Sequence, residues 1–263
     1  MANTAKLDAR AKVPAHCEQP PACLESDDYR SFAKPRETIQ VLDHDLTGYD
    51  RKLFNVLLHL SQDYLKSDPY RTFEAMASTL REDVGQPGKH GNAPIKESLK
   101  RLQKTLVKLD YFNQGRLRER HLSLLITTDV PKNEGVVFWK FHPKLVPLLA
   151  NPQSYARVYL SVSALMRGGY APRLYDQIAL WATERKSTEE ISVSDLRALM
   201  NATAESYDDF RSFNGKVLRP AVAQINNAKT PYHVRIDYAR KGDGRQVTHI
   251  IFQIQERGDW EPP

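Results

Sequence analysis

Only two cysteines, Cys17 and Cys23, occur in the 263 residues, and both sit in a proline-bearing stretch near the start. A disulfide framework needs more pairs than that, and His16 beside Cys17 lacks the further short-spaced ligands a zinc site requires, so no metal is expected. No apolar run approaches the ~20 residues of a membrane-spanning helix, which excludes a membrane-embedded chain and a membrane partner. Met1 to Arg10 holds no apolar segment of the secretory kind, so a cytoplasmic protein is expected.

Catalytic signatures are also missing. There is no Gly-x-x-x-x-Gly-Lys-Ser/Thr, since Gly88-Lys89-His90 and Gly215-Lys216-Val217 lack the first glycine or the hydroxyl, and a nucleotide-driven motor is excluded. None of the eight histidines forms the His-x-His pair of rolling-circle nucleases or the His-x-x-Arg of tyrosine recombinases. The carboxylates at Asp43, Asp45, Glu189 and Glu190 fall in segments that read as loop or helix end. The expectation is a protein that is not an enzyme, with no catalytic residue and no cofactor.

What is present is positive charge. Thirty-eight Lys and Arg against 32 Asp and Glu give a net charge of +6 and a pI near 9.2, which points to a polyanionic partner. The length suits two domains of about 100 to 150 residues, each with its own core.

Residues 1–35, with Pro14, Pro20, Pro21 and Pro35, show neither a helical nor a strand period and read as a disordered tail. Ile39, Val41 and Leu42 suggest a short strand. Tyr49 to Leu65 reads as a helix on the stripe Leu53, Val56, Leu57 and Leu60, and Phe73, Met76, Ala77 and Leu80 as a second. Ile95, Leu99, Leu102, Leu106 and Leu109 are spaced 4, 3, 4 and 3 along one face, which predicts a helix from Pro94 to Leu109. Leu122, Leu124 and Ile126, then Val136 to Phe141 beyond a loop with Pro131 and Gly135, predict a hairpin.

Asn151-Pro152 marks the expected division, giving a first domain at 36–151, a second at 152–256 and a short tail at 257–263. In the second, helices fit Val158 to Met166, Arg173 to Thr183 and Ser192 to Met200. A further helix follows Ser206, its proposed cap, with Phe210, Phe213, Val217, Leu218, Ala221, Val222 and Ile225 inward and Pro220 kinking it or dividing it. His233 to Ala239 and the strand of Ile250, Phe252 and Ile254 alternate around a glycine-bearing tip at 240–245. A basic amphipathic helix followed by a hairpin, twice over, is the winged-helix plan: an α+β fold of tandem winged-helix domains.

The cations cluster on these elements. Lys96, Lys100, Lys104 and Lys108 recur every four residues on the expected first helix, with Arg101 beside them and Glu97 opposing, and like charges at that spacing repel unless a polyanion relieves them. The second helix offers Arg211, Ser212, Asn214, Lys216 and Arg219. Arg suits guanine, Asn suits adenine and Ser suits either, so this set could read a major groove, although Asp208 and Asp209 precede it. Arg240, Lys241 and Arg245 at the hairpin tip suit phosphate clamping.

Pro172-Arg173-Leu174-Tyr175, Tyr207 to Phe213, and Val217-Leu218-Arg219-Pro220-Ala221 with Ile225-Asn226, ending in the strand of Phe252, resemble the C-terminal half of the iteron-binding plasmid replication initiators. The likeness spans about 85 residues. The N-terminal half is similar in its order of elements. Asn214-Gly215 stands where the family tends to place basic residues, and Gln224 where it favours glutamate. The resemblance implies two winged-helix domains that bind double-stranded DNA repeats at a plasmid origin, the second as main reader. It implies origin opening with a host initiator, recruitment of the replicative helicase, and a monomer–dimer equilibrium whose dimer represses the protein's own promoter through an N-terminal contact. Carried over, Arg211, Ser212, Asn214, Lys216 and Arg219 are base and backbone contacts, and Lys96, Lys100, Arg101 and Lys104 phosphate contacts. A winged-helix transcription regulator without a replication role is the alternative.

Overall fold

The computed structural model describes residues 31–41, 46–87, 91–113, 116–132, 135–227, 229–240 and 246–258. It begins with a strand, β1 (Ser31–Pro35), and one helical turn, α1 (Arg36–Ile39). The expected order was a tail through residue 35 and a strand at Ile39. The pattern misled because β1 has one large apolar residue, Phe32, and takes its conformation from a partner 120 or more positions away.

Thr47 opens α2 (Gly48–Leu65) with a reciprocal cap in which its amide donates to Asp50 Oδ2 at 2.7 Å and its hydroxyl accepts from the Asp50 amide at 3.3 Å. Leu53, Val56, Leu57 and Leu58 on this helix are buried. Next come β2 (Phe73–Met76) and α3 (Ala77–Asp83). Phe73 to Met76 was expected to be helical, but antiparallel pairing overrides the short apolar period, with Phe73 opposite Trp139 and their rings stacked at 6.0 Å.

The helix α4 (Ala93–Lys104) buries Ile95, Leu99 and Leu102 and stops five residues before the expected end, where Thr105 is extended. Leu106 and Leu109 continue the helical spacing by coincidence, for they belong to β3 (Leu106–Asn113), in which Val107 is buried and Leu106 exposed. β4 (Arg116–Ser123) pairs with β3 as an isolated two-stranded ribbon. The strand expected to run through Leu122, Leu124 and Ile126 is broken at Leu124. β5 (Leu125–Asp129) and β6 (Val136–Phe141) then form the anticipated hairpin, and α5 (Val146–Ala150) closes the segment.

The chain does not part at Asn151. β7 (Tyr155–Tyr159) pairs antiparallel with β1, Phe32 opposite Val158, so the second half completes a sheet begun by the first. After α6 (Leu160–Leu165), the helix α7 (Tyr170–Thr183) is buried along most of its length and packs on α2 and β7. Lys34 of β1 lies inside, donating to Asp176 Oδ2 of α7 at 2.6 Å and to Asn55 Oδ1 of α2 at 2.7 Å. Burial pulls the Lys34 ammonium below the usual lysine range, against the attraction of Asp176.

The repeat then plays out again with β8 (Thr188–Ser192), α8 (Val193–Leu199), a helical rod made of α9 (Phe210–Phe213), a π turn at Asn214–Leu218 and α10 (Arg219–Asn227), and the hairpin β9 (Tyr232–Ala239) with β10 (His249–Glu256). The two three-stranded sheets share one order, β2-β6-β5 and β8-β10-β9, the last strand lying between the other two. Each domain is thus a winged helix, and the α+β reading holds. The rod is in pieces, as expected, and Pro220 stands second in α10, just past the boundary with the π turn. Its ring would meet the carbonyl four residues back, and the wider π turn just before it opens that space. Among the described residues, no helix is long and apolar enough to cross a membrane.

Candidate nucleic-acid interface

In the second domain the rod from Phe210 to Asn227 lays Phe213, Val217, Leu218, Ala221, Val222 and Ile225 on the core. The residues left outward are Arg211, Gly215, Lys216 and Arg219, all exposed, with Ser212 and Asn214 half-buried. Ser206 is not the cap; it lies in a 3₁₀ turn at Glu205–Tyr207, and the helix starts behind Asp209, whose Oδ2 accepts from the Ser212 amide at 2.9 Å. Asp208 is paired with Arg197 Nη2 of α8 at 2.7 Å. Both acids in front of the basic face are therefore committed to structure, one as a cap and one in an ion pair, and the face beyond them is free to meet an anion.

Asn214 is less free than its sequence position suggests. Its Oδ1 accepts from the Tyr238 hydroxyl of β9 at 3.0 Å, and the Tyr238 ring stands edge-on to Phe210 at 5.5 Å. Reading adenine takes both the amide oxygen and the amide nitrogen. As folded, one lone pair of Asn214 Oδ1 is taken by Tyr238, and the side chain locks the rod to the wing. Asn226 ties the far end in the same way, donating to Val234 O and accepting from Val234 N, both at 2.8 Å. Gln224 Oε1 accepts from the Arg167 amide at 2.8 Å, holding the rod to the loop before α7.

The wing strands pair from Tyr232 opposite Glu256 to Ala239 opposite His249. Arg240 follows β9 and is exposed; Lys241 and Arg245 lie outside the described residues.

In the first domain, α4 presents Lys96, Lys100 and Lys104 outward. The fourth member of the expected line, Lys108, is on β3 instead, paired with Glu119 of β4. Lys100 Nζ reaches Glu97 at 2.8 Å with both groups half in water, a contact of little energy that a phosphate can displace, and the bond holds the Glu97 carboxyl below its usual range. Arg101 is different. Its Nε and Nη2 grip Asp50 Oδ2 and Oδ1 at 2.8 and 2.9 Å, and Asp50 is fully buried. Arg101 is therefore a clamp between α4 and the start of α2: a charge inside the fold holds the fork. The Thr47-x-x-Asp50 spacing ahead of an apolar run is the signal that could have located the partner.

Each domain so provides a helix with an exposed cationic face, seated on three strands, with hairpin strands following. The chain matches two family models and is similar in fold to solved structures. Residues 33–179 match the family model described as Initiator Replication protein, WH1, and residues 192–254 the one described as Initiator Rep protein, WH2. The first runs past the division expected at 151 and contains β7 and most of α7. The fold is similar to that of the Pi initiator protein, solved as a crystal structure in complex with iteron DNA: the TM-score is 0.66 at 20% identity, over 88% of this chain and 99% of that one. Domains 2 and 3 of RctB align with a TM-score of 0.49 at 12% identity, over 79% of this chain and 82% of theirs.

Proposed function

The chain belongs to the initiator replication protein family, and on that footing we propose that it binds directly repeated double-stranded DNA, the iterons of a plasmid origin, and starts replication there without catalysing a reaction. The observation that carries this is the rod in the second domain. Arg211, Lys216 and Arg219 are exposed on it, while the acids that would repel DNA are held by Arg197 and by the helix cap. The similarity of fold to a protein solved on iteron DNA supports the same reading.

Arg211 and Arg219 are the base readers, since a guanidinium matches the two acceptors of guanine, and Lys216 neutralises phosphate. Ser212 contacts either a base or the backbone, and Asn214 contributes amide donors. In the first domain Lys96, Lys100 and Lys104 hold phosphates, and Arg240 with Lys241 and Arg245 does so at the second wing. Bound monomers open the adjoining duplex with a host initiator and bring in the replicative helicase, and dimers repress the protein's own promoter.

Fluorescence anisotropy with a duplex carrying the repeats that flank the gene tests the DNA reading. With roughly eight phosphates neutralised, log K against log salt should fall with a slope near −7, and a slope shallower than about −3 would rule out engagement by both domains. Replacing Arg219 by Ala should relax base preference, whereas Lys96→Ala should weaken all duplexes equally. Maintenance of a plasmid that carries the gene and its repeats, in a host that cannot otherwise keep it, tests initiation.

A further inference from the structure

The two domains differ in one conspicuous way. In the second, the rod leads within a few residues into β9, but in the first the ribbon of β3 and β4 is inserted between α4 and β5. At its base Val107 and Leu122 are buried, and the ribbon packs there on α1 and α4, while Arg116, Leu117, Arg118 and Glu119 are all exposed. Burial of apolar surface does not account for the exposed run 116–119.

The pairing register sorts its charges by face. Lys108 stands opposite His121, and Asp110 opposite Glu119, so these four share one face, where Glu119 is bonded by both Lys108 and His121. That face nearly balances itself. Residues 107, 109, 116, 118, 120 and 122 share the other face, the one that buries Val107 and Leu122 at its base. There Arg116, Arg118 and Arg120 follow one another at every second residue, about 7 Å apart, and no acid occurs at any position of the face. Among the described residues, Arg116 and Arg118 have no ion pair. A fold that places Lys108 and His121 on Glu119 has left Arg116 and Arg118 facing one another's charge. The matching counter-charge is a regularly spaced polyanion, and DNA supplies one phosphate per ~3.4 Å of helix axis on each strand. An acidic protein surface fits less well, because the ribbon leaves directly from the end of α4, whose outward lysines already address the same partner.

We propose that the arginine face of the β3–β4 ribbon is a further phosphate-binding site, which grips the duplex backbone beside α4 and lengthens the footprint of the first domain. The proposal rests on the DNA-binding reading above. It supplies affinity without sequence information, because arginines aligned along a backbone meet phosphates and no base edge.

The test is the double variant Arg116→Ala/Arg118→Ala in the full chain, with Arg120, which has contacts of its own, left in place. Anisotropy is measured from 50 to 200 mM salt on an iteron duplex and on a scrambled duplex of equal length. Loss of two phosphate contacts should make the slope shallower by about 2, so that over this fourfold salt range the parent loses about tenfold more affinity than the variant. The effect should be equal on both duplexes, and Arg116→Lys/Arg118→Lys should restore most of the slope, since charge alone suffices. An unchanged slope, in a protein whose base preference Arg219→Ala still relaxes, would overturn the ribbon site and leave the DNA reading standing. A shift in the monomer–dimer balance by sedimentation, with DNA affinity unmoved, would also overturn it, by making the ribbon a protein surface. If the parent bound neither duplex, both readings would fall together.

Discussion

Replacing Arg101 by Ala separates a structural cation from a ligand-binding one on a single helix. Arg101 makes two charge-assisted bonds to Asp50, which is completely buried and also accepts from the Thr47 amide and hydroxyl at 2.7 and 2.8 Å. Removing one partner of a buried pair costs about 3 to 5 kcal/mol, because the other charge is left uncompensated. Here the cost is smaller. The Arg101 side chain is 34% exposed, so water can replace the guanidinium, and the Thr47 bonds survive. About 2 kcal/mol is the reasonable figure, and in a protein of this size each kcal/mol lowers Tm by about 2 to 4 °C, so calorimetry should show a fall of about 4 to 8 °C. Lysine should not rescue it, since a single ammonium cannot span both carboxylate oxygens. The salt slope of DNA binding should be unchanged in Arg101→Ala, whereas Lys96→Ala or Lys104→Ala should each lower it by about 1 with Tm unmoved. An Arg101→Ala protein with the parent's Tm and a shallower slope would refute the clamp and return Arg101 to the phosphate contacts.

Other consequences of the structure can be tested alongside. Lys34→Met should destabilise by about 3 to 5 kcal/mol in urea unfolding, by stranding Asp176 in the core, and the double variant Lys34→Met/Asp176→Leu should cost less than that single change; additive costs would show that the pair is not coupled. Gly48→Ala should lower the unfolding free energy by several kcal/mol, because its Cβ would lie 2.0 Å from the Gly168 carbonyl oxygen, a backbone atom with little room to retreat; wild-type stability would mean that α2 and the loop before α7 are not in contact. Burial holds the Tyr49 hydroxyl up to about 12 and raises Tyr175 and Tyr232 as well. The unfolded chain releases these protons near 10 and the folded chain keeps them longer, so this stability is complete below pH 10 and is lost as pH rises toward 12. Tyrosinate absorbance and circular dichroism should change together in that window, and early titration of all tyrosines without unfolding would contradict the burial.

Much of the function was legible in order and period. The stripe of Leu53, Val56 and Leu57, the inward set from Phe213 to Ile225 and the alternation of β9 and β10 each answer to a local repeat that chemistry imposes on one face of a helix or strand, and their order gave the tandem winged-helix plan. Local period failed where a distant partner set the outcome. Phe73 to Met76 is a strand because Val136 to Trp139 lies beside it, β1 because Tyr155 to Tyr159 does, and Leu106 and Leu109 extended a helical spacing into a strand that pairs with β4.

The same boundary divides the charges. That this chain carries a basic helix and hairpin twice was determined by residue types along the line of the sequence. Which cations remain available was decided only by folding, since a guanidinium is free or committed according to whether an acid arrives within about 3 Å of it. Asp50 comes to Arg101 from 51 positions away and Asp208 to Arg197 from 11, while among the described residues no acid pairs with Arg116 or Arg118. Those distances in space have no counterpart in the distances along the chain.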